Sequence, residues 1–359
     1  MKRQLGVIAL PSADKLGIEI CKILGIRPKT LDIEDFPDGE WRIRIEDGPR
    51  GRNGVRGENV VVLGGRTTIA GQAANPAKDA MQTLSVTAAA YESKANKVWA
   101  LLPYLWFSRA DKKEGRATAL AKHVLRWGEQ TGIEGYAFFD LHSEQIEEYP
   151  IKAKTDNIPS SILFSYWIQE KTDWLSKTNP VVLGVQEGKM EDGAVVVAPD
   201  AGSAKKARDL AIKSGLKCYF ATKIRFNAED VAVVIPREVE GKTVILMDDI
   251  IDTAGTLCQT VEKCYLAGAR TVKAIASHGI FAGKAQDRLT KLAEQHSDFE
   301  LIVTDSINQI MKPISNFCIL PLAPLLAKWV KITLWEEKGS MSPFFNYPEA
   351  FKKLYRRYG

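Results

Sequence analysis

Three aspartates, two threonines and a glycine fall within the nine residues 248–256, in the stretch VILMDDIIDTAGTL (244–257). The apolar run Val244–Met247 leads directly into Asp248 and Asp249. A protein interior rejects bare carboxylates unless something pairs with them. The turn Asp252, Thr253, Ala254, Gly255 and Thr256 then opens a helical pattern. Such a turn gathers backbone N–H groups, two hydroxyls and the partial positive charge of a helix start at one point, which is a nest for phosphate. Asp248 and Asp249 cannot bind phosphate, but they suit sugar hydroxyls or a hydrated Mg2+. Sugar hydroxyls beside one phosphate describe ribose 5-phosphate. The competing account, a strand end with capping aspartates, explains fewer of these residues.

Other residues could do related chemistry. His142 lies just past the apolar run Gly135–Phe139, two residues after Asp140. A neutral imidazole there could ligate a metal or touch a triphosphate, and otherwise it is a satisfied hydrogen-bonding residue. Lys223 and Arg225 are one residue apart in an extended segment and so project to one side. They could fold over a triphosphate and stabilise a transferring group, or simply line a solvated loop. Phe36 beside the Pro-Asp-Gly turn could stack on a purine, with Asp38 and Glu40 accepting hydrogen bonds, or it could close a small core. Arg109 is a phosphate candidate.

Eight short apolar runs must position these groups: LGVIAL, NVVVLGG, KVWALLPY, GYAFFDLH, AVVVAPD, TVILMDD, VKAIASHG and ELIVTD. They are short, bounded by turn residues and as a group rich in Val and Ile, as expected of strands buried on both faces of a parallel sheet. Between them lie amphipathic stretches. In SADKLGIEICKILG, Ser12 is placed to cap a helix and Leu16, Ile20 and Leu24 share one face. The reading is α/β: two similar domains, each a mostly parallel sheet flanked by helices. Ligands in such sheets bind beyond the carboxyl ends of the strands. The expected division is 1–157 and 158–324, with a C-terminal helix and tail, 325–359, packing back on the first domain. Segments 46–59 and 176–193 read as loop insertions.

Composition narrows the classes. A chain of 359 residues suits two domains, and its net charge of +5 permits anionic small substrates without arguing for nucleic acid. No apolar run is long enough to span a bilayer, and the first residues lack a signal-peptide pattern. Five cysteines without a CxxC pair fit reduced, inert thiols. The expectation is a cytoplasmic protein with no nucleic-acid or membrane partner.

At 244–257 the sequence resembles the ribose-phosphate signature shared by type I phosphoribosyltransferases and ribose-phosphate diphosphokinases (phosphoribosyl pyrophosphate synthetases). FPDGEWRIRI (36–45), PYLWFSRADKK (103–113) and DLHSEQIEEY (140–149) are similar to diphosphokinase segments that simple phosphoribosyltransferases lack. VVVAPDAGSAKKARDLA (195–211), KIR (223–225), SHGIF (277–281) and the stretch from LAPLLAKWV to GSMSPFF (322–345) follow in that family's order. The resemblance implies phosphoribosyltransferase-like domains and diphosphoryl transfer from ATP to the C1 hydroxyl of ribose 5-phosphate, with Mg2+ as cofactor, in a homo-oligomer. It implies catalytic Lys223 and Arg225, and ATP contacts from Phe36, Asp38, Glu40, Arg109 and His142. It further implies metal contacts from His142 and Asp200, and a ribose 5-phosphate site made of Asp248, Asp249, Asp252, Thr253, Ala254, Gly255 and Thr256. The chain departs from the family pattern at Ala110, where glutamine is usual, and Asp156 stands one position late for a family acid. A regulatory subunit of the same family and a type I phosphoribosyltransferase are the alternative functions.

Overall fold

The computed structural model describes residues 4–46, 54–69, 75–171, 193–225 and 231–336. The first half runs β1 (Leu5–Ala9), α1 (Asp14–Leu24), β2 (Leu31–Asp35), β3 (Trp41–Ile45), β4 (Asn59–Leu63), β5 (Thr67–Ile69), α2 (Pro76–Glu92), β6 (Lys97–Leu102), α3 (Leu120–Gln130), β7 (Gly135–Phe139) and β8 (Lys154–Ile158). The second half runs α4 (Ser161–Lys171), β9 (Ala194–Ala198), α5 (Ala204–Ser214), β10 (Lys217–Phe220), β11 (Thr222–Arg225), β12 (Val231–Val234), β13 (Thr243–Ile251), α6 (Gly255–Leu266), β14 (Thr271–Gly279), α7 (Ala285–Gln295), β15 (Glu300–Thr304), β16 (Asn308–Ile310), β17 (Phe317–Leu320) and α8 (Ala323–Val330).

Two parallel sheets organise these elements, in the orders β1-β4-β6-β7-β8 and β10-β9-β13-β14-β15-β17. All eight apolar runs are strands of these sheets. β4, β7 and β9 are buried at every residue, because helices cover both faces. The strands that the apolar pattern does not announce, β8, β10 and β17, lie at sheet edges, where fewer side chains need burying.

The largest core lies between the sheets. It joins Leu63, Trp99 and Phe139 of the first sheet to Val196, Met247 and Ile302 of the second. α8 belongs to it and packs on α1. Trp329 of α8 lies 5.5 Å from Trp99, ring to ring, and donates its Nε1–H to Asp156 at 2.9 Å. Asp156 thus accepts from a buried tryptophan of α8. Beyond α8, Asn59 of β4 donates to the Leu334 carbonyl at 2.8 Å.

Two local expectations need correction. Ser12 does not cap α1: a 3-10 turn, Pro11–Ala13, precedes the helix, and no side chain caps either element. Pro11 fixes the backbone angle that starts this turn early. The expected insertion 46–59 is not loose along its described part. Val55 is buried, and Glu58 is buried against Lys29 at 2.8 Å, before β4 begins at Asn59. Residues 47–53, and 176–192 of the second insertion, lie outside the described residues.

Candidate active site at the junction of the two sheets

The site grows from a mismatch in strand length. β13 has nine residues, but β9 pairs with it only from Thr243 to Leu246. β14 continues alongside to Gly279, with Asp248 opposite Ala276 and Ile250 opposite His278. Beyond the end of β9, β13 and β14 carry Asp248, Asp249, Ser277 and His278 out past the sheet and toward the first half. The sequence reading ends the strand at the acids, whereas the strand runs through them to Ile251.

Asp252 and Thr253 follow, and α6 begins at Gly255. Ala254 precedes the helix in the left-handed region, with φ 58°. Thr253 and Thr256 are exposed while Ala254 is buried, so the hydroxyl-bearing residues of this turn face outward at a helix start. Arg288 of α7 donates to the Thr253 carbonyl at 2.7 Å and holds the turn from behind.

Across the junction, β7 is followed by Asp140, Leu141 and His142. The backbone turns sharply at Asp140, where φ is 51°. His142 Nδ1 meets Asp249 Oδ2 at 2.5 Å, and Arg109 meets Asp252 at 2.5 Å. Both pairs join residues from opposite halves. The Arg109 and His142 segments are also tied together: Gln145 donates to Asp111 Oδ2 at 3.0 Å, and the Tyr149 hydroxyl donates to the Asp111 carbonyl.

A second layer lies beneath. Lys206 of α5 donates to Asp140 Oδ2 and to the Leu141 carbonyl, both at 2.9 Å, and to the Asp140 carbonyl at 3.3 Å. Its ammonium is 3.8 Å from Asp249. Ser277 donates to Asp140 Oδ2. His278 bridges the Asp140 carbonyl at 3.2 Å and Ser306 Oγ at 2.8 Å.

The electrostatics separate the two strand-end acids. Burial, followed by the charge of Asp249, pushes Asp248 up to about 7, and nearby Asp200 adds to this. Burial alone would also raise Asp249, but the hydrogen bond from His142 and the charges of Lys206 and His142 outweigh it. Asp249 is held well below the usual carboxylate range. Its hydrogen bond in turn pushes His142 above the ordinary imidazole value, against the effect of burial. Burial pushes His278 down to about 4, so it is neutral and acts as a fixed hydrogen-bonding ring.

Of the residues singled out from sequence, Arg109, His142, Asp248, Asp249 and the 252–256 turn come together. Asp200, at the end of β9, accepts from the Ser203 N–H at 3.2 Å just ahead of α5, and its charge reaches Asp248. Phe36, Asp38 and Glu40 form the exposed tip of the β2–β3 hairpin, closed by Phe36 N–H to the Glu40 carbonyl at 2.8 Å. That hairpin packs on α2, with Lys78 of α2 3.2 Å from Asp35. No hydrogen bond or ion pair among the described residues links its tip to the Asp249 cluster. Lys223 and Arg225 lie on β11, which pairs antiparallel with β12 in a ribbon outside the main sheets, opposite Val233 and Val231. The extended segment expected around Lys223 and Arg225 is thus a strand up to Arg225, and residues 226–230 lie outside the described ones.

Sequence reasoning passed over Lys206, Ser277 and the binding role of Asp140. Each stands inside a segment already quoted, but nothing in its type or spacing marks it; the signal is the contact across the junction.

Among the described residues, no group of three or more His, Cys, Asp or Glu side chains is arranged as a ready metal cage. The chemistry of Asp248, Asp249 and Asp200 nevertheless suits a hard divalent cation, which is commonly bound by one or two carboxylates plus substrate phosphate. Burial and then like-charge repulsion raise Asp248, and a cation there would relieve the repulsion. No helix among the described residues is long and apolar enough to cross a membrane.

Comparison with known proteins gives a consistent picture. The family model for the N-terminal domain of ribose phosphate pyrophosphokinase matches residues 5–132, and that for the phosphoribosyl transferase domain matches 164–310. A ribose-phosphate pyrophosphokinase of Helicobacter hepaticus is 32% identical over 317 residues, covering 87% of this chain and 90% of its own length. One of Aquifex aeolicus is 30% identical, covering 94% and 98%. The crystal structure of phosphoribosylpyrophosphate synthetase from Mycobacterium smegmatis superposes with a TM-score of 0.75 at 26% identity, over 94% of this chain and all of that one.

Proposed function

This chain belongs to the ribose-phosphate pyrophosphokinase family of transferases, and on that premise we propose that it moves the diphosphoryl group of ATP to the C1 hydroxyl of ribose 5-phosphate, giving 5-phosphoribosyl 1-diphosphate and AMP. The observation that carries this reading is the meeting of the acid-ended β13 and its 252–256 turn with Arg109 and His142 from the other sheet. One side offers a phosphate nest with sugar-facing acids, and the other offers cations for a triphosphate.

In this reading the 5-phosphate lies against Thr253, Ala254, Gly255 and Thr256, with Asp252 holding the turn and Asp248 and Asp249 toward the ribose hydroxyls. Arg109 and His142 face the nucleotide, and Phe36, Asp38 and Glu40 serve its base and ribose. Lys223 and Arg225 stabilise charge on the transferring group. Such a transfer depends on alignment and charge stabilisation more than on covalent help from the protein. Mg2+, when bound, neutralises phosphate charge. Asp200 and the strand-end acids would hold it, while His142, whose Nδ1 is committed to Asp249, would meet the metal or the triphosphate through its other ring nitrogen. The partners are then ATP and ribose 5-phosphate, in a cytoplasmic homo-oligomer.

The test is AMP formation by the purified chain from ATP, ribose 5-phosphate and Mg2+, with each omitted in turn. Dependence on all three supports the proposal. Ribose 5-phosphate binding without AMP formation would instead make the chain a binding subunit.

A further inference from the structure

We infer that Lys206 is a positioning residue: it clamps the Asp140–Leu141 turn of the first half onto the second half and so fixes His142 opposite Asp249. The inference rests on the reading of His142 and Asp249 as opposing sides of the substrate site.

Three observations carry it. First, the ammonium of Lys206 is fully committed. Its three protons have three acceptors in the neighbouring half: Asp140 Oδ2, the Asp140 carbonyl and the Leu141 carbonyl. None remains for a substrate phosphate, which separates Lys206 from the cations that would touch ATP. Second, the group it holds needs holding. Asp140 is a buried carboxylate in left-handed backbone, a conformation that non-glycine residues rarely adopt. From the other half it is held by Lys206, by the Ser277 hydroxyl on its carboxylate and by His278 on its carbonyl, in addition to its own N–H to the Ile158 carbonyl at 2.9 Å and the Ser160 N–H on Oδ1 at 3.4 Å. Third, the clamped residues directly precede His142, so their placement sets where the imidazole stands. The Lys206 side chain is 20% exposed and that of Asp140 6%, which distinguishes this pair from solvent-facing ion pairs that contribute little. Loss of the ammonium would leave the buried Asp140 carboxylate and the Leu141 carbonyl short of a donor, and the turn would shift to recover water.

Four measurements read this. Lys206→Met keeps the length of the stem and removes the charge. Its kcat should fall about 30- to 100-fold, the range that a misplacement of about 1 Å costs, while KM for ATP and for ribose 5-phosphate stays within about three-fold. Lys206→Arg, which restores a cation with several donors, should recover much of the lost kcat. Hydrogen–deuterium exchange should rise in residues 140–149 of Lys206→Met relative to wild type, and this readout does not depend on turnover. Ser277→Ala, which removes one clamp from β14, should show the same pattern more weakly and stands in should Lys206→Met fail to fold. Wild-type kcat and wild-type exchange in Lys206→Met, or in Ser277→Ala where the former does not fold, would overturn the inference. So would an equal loss of kcat in the Met and Arg variants with exchange unchanged. A wild-type chain that forms no AMP refutes the proposed activity instead, and the exchange comparison still reads the clamp.

Discussion

Asp305 offers a stability test that does not involve the active chemistry. It follows β15, and its Oδ1 accepts the Leu322 N–H at 2.7 Å just ahead of α8. Burial pushes its carboxyl from 3.8 up to about 6. The sign follows from which state binds the proton. Below the unfolded value the group is protonated in both states and costs nothing. Between about 4 and about 6 the unfolded chain releases the proton while the folded chain keeps it, so stability falls as pH rises through this window. Above it the full penalty applies. Two pK units correspond to a ceiling of about 3 kcal/mol, and local relaxation and water penetration bring the expected figure to about 1–2 kcal/mol. Asp305→Asn keeps an acceptor for Leu322 and cannot ionise. It should therefore be more stable than wild type by about 1–2 kcal/mol near pH 8, with the gap closing toward pH 4, as read from urea unfolding of both proteins across that range. A variant no more stable than wild type near pH 8, or a gap that does not shrink on acidification, would show that Asp305 is not held protonated by its surroundings.

Three further outcomes are expected. Thr256→Val should raise KM for ribose 5-phosphate far more than KM for ATP, since the hydroxyl stands at the phosphate turn; steady-state kinetics with each substrate varied would show equal effects if that assignment is wrong. Lys223→Ala should lower turnover at least 100-fold, about 3 kcal/mol of transition-state stabilisation, with substrate dissociation constants little changed; wild-type turnover would remove the β11–β12 ribbon from the mechanism. Gly17→Ala should lower the melting temperature, because a Cβ there would sit 2.4 Å from that of Ala9, where α1 crosses β1. Overpacking of this kind costs about 1–3 kcal/mol, against about 1 kcal/mol gained in helix propensity; a rise in melting temperature would show that the contact relaxes freely.

The sequence carries some links of this structure better than others. The apolar runs mark the central strands because strands covered on both faces must be apolar throughout. β8, with the sequence KTDNI, escapes notice because an edge strand can be polar and still pair. The phosphate turn is legible because its residue types are improbable except together. His142 is legible as a site residue, yet its pairing with Asp249 is not, since that contact joins residues 107 apart in sequence across two sheets. Lys206 is hidden for a related reason. Lys205 and Lys206 look alike in the chain, but Lys205 forms an exposed ion pair with Glu144 while Lys206 turns toward Asp140. One residue along a helix rotates a side chain by about 100°, and only packing decides which neighbour it finds.

The return of α8 to the first half bears on the order in which the chain can fold during synthesis. Trp99 and Leu63 of the first sheet bury against a core that includes Trp329 and Leu334. The Asn59 side chain bonds a carbonyl 275 residues further along. A ribosome that has released the whole first sheet has therefore not yet released the residues that cover one of its faces. Until Leu334 emerges, that face is exposed to solvent, to neighbouring nascent chains and to chaperones. Closure by so distant a segment is entropically slow, and exposed apolar surface in the interval favours aggregation. Truncation just ahead of α8 would make that transient exposure permanent.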